Sequence, residues 1–195
     1  ALNLLYEKEN WRMTLYNLRA KAYGLASEYD KAVEFAQKAK DLAEEHVDKT
    51  EIAQSLYMLG EISARKGNLA ESVGYLEQAL HLSEQINDHP NIARCLNNLG
   101  VSKQRMGEFA QGKAYFERAK QLYEALGNQH GVSLVMNYLG YAAVTQQDRQ
   151  TAKAYWLTSL DILKQVGDLR SYGIVLGNLG GVFFDLTQYD EAIYY

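Results

Sequence analysis

The sequence predicts an all-α fold of stacked antiparallel helical hairpins, and three observations predict it. The dipeptide Leu-Gly returns at Leu59-Gly60, Leu99-Gly100, Leu139-Gly140 and Leu179-Gly180, each 40 residues after the last. Within such a unit apolar residues recur at three and four, the helical period. The 195 residues hold a single Pro and many Ala, Leu, Glu and Gln, side chains that lose little entropy in a helix.

The elements follow in order. Residues 1–8 resemble the end of a second helix of a hairpin, since Ala1-Leu2-Asn3-Leu4 matches Ala79-Leu80-His81-Leu82. A first repeat covers about 11–47, with Ala20 in the place of Gly60 and Tyr29-Asp30-Lys31-Ala32-Val33 matching Leu69-Ala70-Glu71-Ser72-Val73. The second, 48–87, shows the pattern most plainly. Ile52, Leu56, Leu59 and Ile62 form one stripe (helix A), and Leu69, Val73, Leu76 and Leu80 another (helix B), with Lys66-Gly67-Asn68 breaking the chain between them. The third, 88–127, repeats the break as Met106-Gly107-Glu108. The fourth, 128–167, departs most, with Gln147 for the turn glycine, Arg149 for an aromatic and Ser159 for an alanine. A truncated fifth repeat occupies 168–195.

Helix starts have their own signal. Asp48, Asp88, Asn128 and Asp168 form one column whose side chains accept from orphan amides, and Gly127 and Gly167 precede two of them as helix stops. Pro90 lies just beyond Asp88, in a first turn where its missing N–H costs little. Two columns of small residues, Ala20, Gly60, Gly100, Gly140, Gly180 and Ala32, Ser72, Gly112, Ala152, Ala192, mark where helices approach closely. A glycine inside a helix costs about 1 kcal/mol relative to alanine. Its regular return implies backbone contact that a side chain would block.

Composition narrows the function classes. A net charge of -4, from 20 Lys and Arg against 24 Asp and Glu, gives no cationic surface for a phosphate backbone, so nucleic acid is not expected as a direct partner. One Cys excludes an internal disulfide and the Cys-rich zinc arrangements, and fits a reducing, cytoplasmic setting. No run approaches the roughly 18 apolar residues of a membrane span, so no membrane partner is expected.

Chemistry-bearing residues each have an ordinary reading. His46, His81, His89 and His130 lie in or beside inter-repeat loops without metal-ligand spacing, and Cys95 reads as a small buried side chain in a helix A. The glycines fall at helix contacts, not in a phosphate loop. Trp156 and the column of Tyr75, Tyr115 and Tyr155 read as core, and Glu61 with Arg65 as a surface ion pair four residues apart. No enzyme and no cofactor is expected.

The order Leu99-Gly100, Gly107, Phe109, Gly112, Phe116, Ala119 resembles the tetratricopeptide repeat over nearly the whole chain. A 40-residue unit, longer than the usual 34, looks like the variant of kinesin light chains, LGN-type polarity adaptors and MalT-like bacterial regulators. The resemblance implies a right-handed superhelical solenoid with the A helices lining a concave groove. It also implies a non-enzymatic scaffold for proteins or extended peptides, or, as the second reading, the effector-sensing region of a multidomain regulator. Carried over residue by residue, the groove-facing positions are Asn17, Lys21, Gln54, Tyr57, Arg65, Arg94, Asn97, Arg105, Asn137 and Tyr141. Carboxamides there offer donor and acceptor to successive peptide groups, and the arginines suit a carboxylate on a partner or on the parent chain. Asn98 shares its rung with Met58, Tyr138 and Asn178 and reads as structural. Arrays of this kind cover their last apolar faces with polar caps. The sequence shows none, which predicts a fragment of a longer solenoid and self-association through its end faces.

Overall fold

The computed structural model describes the backbone of residues 2–194 and the side chains of residues 11–194. Among the described residues all regular structure is helical. The helices are α1 (Leu2–Leu25), α2 (Tyr29–Glu45), α3 (Lys49–Lys66), α4 (Leu69–Gln85), α5 (His89–Arg105), α6 (Phe109–Ala125), α7 (Gln129–Thr145), α8 (Arg149–Val166), α9 (Leu169–Asp185) and α10 (Tyr189–Tyr194). They fall into two compact units, Ala1–Gly107 with α1 to α5 and Glu108–Tyr195 with α6 to α10. Within each unit successive helices pack side by side. The break expected after residue 8 is absent: α1 runs on from Leu2 as one helix into the first repeat.

The turns repeat at half the sequence period. A left-handed residue stands at 27, 47, 67, 87, 107, 127, 147, 167 and 187, every 20 residues. Four of these are glycines, the residue without a Cβ penalty there, and Gly67 and Gly167 close α3 and α8 at φ 96° and 74°. Gln147 adopts the same conformation (φ 63°), so the fourth repeat keeps its turn without the glycine. Val47 does so at φ 55°, where a β-branched side chain crowds its own backbone. Its side chain is 76% exposed and packs little. Val47→Gly is therefore expected to stabilise the protein by about 1 kcal/mol, the relieved strain outweighing the added chain entropy of glycine. Urea unfolding checks this, and an unchanged or lower midpoint refutes it.

The helix starts are set by the expected column. Asp48 accepts from the amides of Thr50 and Glu51, Asp88 from Asn91, Asn128 from Gly131 and Asp168 from Ser171. Asp148 does the same for α8 through Thr151, a cap the column had not included. Hydrogen bonds from Thr151 and Ser171 hold the carboxyls of Asp148 and Asp168 below the usual carboxylate range.

In the first unit Ala20, Ala32, Ala36, Met58, Leu59 and Ile62 form one buried cluster. The small-residue columns do mark close approach, but mainly against side chains. A Cβ on Gly60 would lie 2.7 Å from Leu76 Cγ, with the backbone oxygen of Ser72 farther off at 3.3 Å. In the second unit the core gathers around Trp156, Leu160, Leu163, Val175 and Leu179. Gly140 faces the Trp156 indole, where a Cβ would stand 2.6 Å from Cε2. Trp156 is core as expected, whereas Tyr75, Tyr115 and Tyr155 are half-buried.

Candidate functional site

In the first unit the sequence-derived groove residues are largely engaged between neighbouring A helices. Asn17 of α1 is 8% exposed; its amide donates to Glu51 Oε2 (3.2 Å) and its carbonyl accepts from Ser55 Oγ (3.3 Å), both on α3. Burial, more than the neighbouring Asp48, raises the Glu51 carboxyl above its ordinary range. Tyr57 is buried as well, with its hydroxyl accepting from Asn98 Nδ2 at 2.9 Å and the Arg94 guanidinium over its ring at 3.9 Å. Arg94 also donates to Gln54 Oε1 (3.2 Å), so Gln54, Tyr57, Arg94 and Asn98 form one brace between α3 and α5. Asn98 is thus structural, as its rung suggested, and the ring beneath it is too.

The three arginines expected to hold a carboxylate all have partners in the protein. Arg65 pairs with Glu61 at 2.8 Å, the expected helix-surface pair, and Arg105 donates to the Ala64 carbonyl at 2.6 Å. Lys21 is exposed on the rim of a small recess of about 30 Å³ that Glu61 and Arg65 also line. Asn97 differs from the rest. It is 4% exposed, its amide reaches only the Asn98 carbonyl at 3.5 Å, and its own carbonyl oxygen is buried without a hydrogen-bond partner. A buried unsatisfied acceptor costs about 1–3 kcal/mol. Cys95, two residues before it, is fully buried, and burial pushes its thiol up to about 12, which removes it as a nucleophile at neutral pH.

The second unit repeats the brace between its A helices but leaves a cleft beside it. Asn178 Nδ2 of α9 donates to Asn137 Oδ1 of α7 at 3.0 Å, and Tyr141 OH donates to Asn178 Oδ1 at 2.8 Å. The Trp156 indole N–H holds the Asn137 backbone carbonyl at 3.1 Å, and Tyr141 packs edge-on against the same ring at 5.4 Å. This network holds Asn137 and Tyr141 in the lining of an open cleft of about 310 Å³ between α7 and α9, which Ser159 and Leu163 of α8 also line. Leu134, Tyr138, Ile174 and Val175 give it apolar walls; Ser133 and Ser171 supply hydroxyls. His130, at its mouth, sits 3.3 Å from Asp168, the cap of α9. Leu134, Ile174 and His130 carried no mark in the sequence reading of the site. Their signal lies only in α7 and α9 standing next to each other.

Among the described residues no group of His, Cys, Asp or Glu side chains is placed to hold a metal ion, and no helix is long and apolar enough to cross a membrane.

Hairpins of constant length, capped at helix starts and joined through paired A-helix residues, define a helical repeat protein. The chain belongs to the tetratricopeptide repeat family: a family model described as Tetratricopeptide repeat matches residues 51–125 and 96–165, and a second of the same description matches 14–46. No curated protein matches it in sequence. The fold is similar to that of BtubC (BKLC) from P. vanneervenii, with TM-score 0.83 at 19% identity over 98% of this chain and 81% of that one. It is also similar to a Rap protein complexed with competence and sporulation factor, with TM-score 0.84 at 15% identity over 94% of this chain and 51% of that one. A third is a signal transduction ATPase (STAND protein) with a tetratricopeptide repeat sensor from Pyrococcus horikoshii, with TM-score 0.78 at 16% identity over 94% of this chain and 29% of that one. At these identities the likeness is one of fold. The chain spans about half the length of the Rap protein and less than a third of the ATPase.

Proposed function

We propose that the chain is a non-enzymatic binding module that takes an extended peptide or protein segment on the faces of its A helices. The cleft between α7 and α9 carries this reading. About 310 Å³ with apolar walls, hydroxyls and a braced Asn–Tyr pair suits one or two apolar side chains of a peptide, with polar groups at hand for its backbone. Because Arg65, Arg94 and Arg105 are already paired, the favoured peptide is apolar in character more than carboxylate-bearing. A second reading, the effector-sensing part of a multidomain regulator, is supported by the fold likeness to the sensor of the ATPase and to the Rap protein crystallised with its factor. In that reading the same cleft takes a peptide effector.

The test uses peptides selected from a random display library against the immobilised chain, with affinities measured by calorimetry. Leu134→Asp and Ile174→Asp, on opposite cleft walls, are each expected to weaken binding at least tenfold, about 1.4 kcal/mol, with unchanged circular dichroism. Failure to select any peptide, or full affinity in both folded variants, refutes the proposal.

A further inference from the structure

Most polar groups lining the cleft between α7 and α9 spend their hydrogens on the protein itself. Ser133 Oγ donates to the His130 carbonyl at 2.8 Å, and Ser159 Oγ to the Ser133 carbonyl at 3.0 Å. A carbonyl can only accept, so the direction of both bonds is fixed. Tyr141 OH donates to Asn178 Oδ1 at 2.8 Å. Ser171 bonds to the Asp168 carboxylate through its side chain as well as its amide, and a carboxylate also only accepts. His130 turns Nδ1 toward the same carboxylate at 3.3 Å.

The cleft is therefore rich in acceptors. Each hydroxyl oxygen that has given its hydrogen away keeps a lone pair. Asn137 is the exception: its Nδ2 has no partner among the described residues, and it suits a main-chain carbonyl of a peptide. Among the described residues no Asp, Glu, Lys or Arg lines the cleft, while the rings of Tyr138 and Tyr141 do.

These features select among side chains. A carboxylate or an amide oxygen would meet lone pairs. An ammonium or guanidinium would lose its water without a counter-charge in the lining, which is costly; Asp168, beside His130, is already held by Ser171. A plain hydrocarbon would fill the volume but leave the serine oxygens without a donor. Resting on the reading of this cleft as a peptide site, we infer that it takes an indole, the side chain of tryptophan. An indole is a flat apolar ring with one N–H donor and no acceptor. It has room in about 310 Å³ and tyrosine rings to pack on, and its N–H meets the oxygens of Ser133 and Ser171.

Indole itself and indene, its isostere with CH₂ in place of N–H, are the probes. Each is titrated into the isotope-labelled chain, and the amide resonances of Ser133, Asn137 and Ile174 are followed. Indole is expected to bind roughly threefold or more tighter than indene, the return on one hydrogen bond. In a cleft without free acceptors the order would reverse, because the buried N–H would go unpaired. Ser133→Ala combined with Ser171→Ala should remove the advantage of indole and leave the affinity for indene unchanged, with native circular dichroism. Ala53 and Ala93 stand in the place of Ser133 in other repeats, so the fold accepts alanine there. Equal or tighter binding of indene to the native chain overturns the inference. So does binding of neither probe, or an advantage for indole that survives in the double serine variant. Peptide selection reads the underlying proposal separately: peptides that need Leu134 and Ile174 but gain nothing from a tryptophan leave the binding module standing and overturn only the indole.

Discussion

Gly140→Ala is expected to destabilise the second unit by about 2 kcal/mol despite the better helix propensity of alanine. The new methyl would enter the indole of Trp156, 2.6 Å from Cε2 and 2.8 Å from Cδ1. That ring cannot retreat easily: it is 2% exposed, it packs against Tyr141, and its N–H is committed to the Asn137 carbonyl. Overpacking of a filled core costs about 1–3 kcal/mol, and losing the indole hydrogen bond adds about 1 kcal/mol. The alanine propensity gain of about 1 kcal/mol offsets only part of this. Gly177→Ala on α9 is the control. Its Cβ meets nothing within 4 Å, so the propensity gain stands alone and stability should rise by up to about 1 kcal/mol. Opposite shifts of the two urea midpoints confirm the assignment; shifts of the same sign refute it.

Phe116→Ala should have the larger effect, a loss of about 3–5 kcal/mol. Phe116 is fully buried on α6 and stacks on Tyr138 of α7, with centroids 5.6 Å apart and planes 4° from parallel. Truncation leaves a hole between α6 and α7 and removes the ring that Tyr138 stacks on. In a repeat protein stability is roughly a sum of unit and neighbour terms, so damage at one interface can melt one part first. Hydrogen exchange should therefore show early loss of protection in α6 and α7, with α1 to α4 retaining more. Uniform loss, or a destabilisation below about 1 kcal/mol, would contradict the packing described here.

Gly140 and Gly177 differ in what an added Cβ would meet, and the repeat period does not encode that difference. Gly140 and Gly180 share one column with Gly60, and Gly177 and Gly181 lie on the same helix as Gly180. Period alone singles out the column, and the close approach at Gly60 and Gly140 follows it. It does not say that the neighbour is an indole at one rung and a leucine at another. That depends on which rotamer of Trp156 or Leu76 fills the space across the hairpin.

The asparagines make the same point for the site. Their recurrence at positions 17, 97 and 137 is legible in the sequence, and so is their place on the A helices. Yet Asn17 is tied to Glu51 and Ser55, Asn137 to Asn178, and Asn97 keeps an unfilled carbonyl. An amide's availability depends on a partner one repeat away, and no local pattern encodes which residue arrives there. The cleft between α7 and α9 was invisible for that reason, since Leu134 and Ile174 become walls only when their helices are side by side.

By itself the sequence determined the helices, the repeat, most of the caps and turns, and the family. These are consequences of local physics: apolar period, left-handed turn residues, and side chains that bond to amides within three residues. The tertiary structure alone decided which polar residues are consumed as braces, where an open cleft remains, and that α1 continues unbroken across residue 8. The braces between A helices and the cleft beside them depend on contacts between residues about 40 apart, where distance and rotamer, not residue type, settle the outcome.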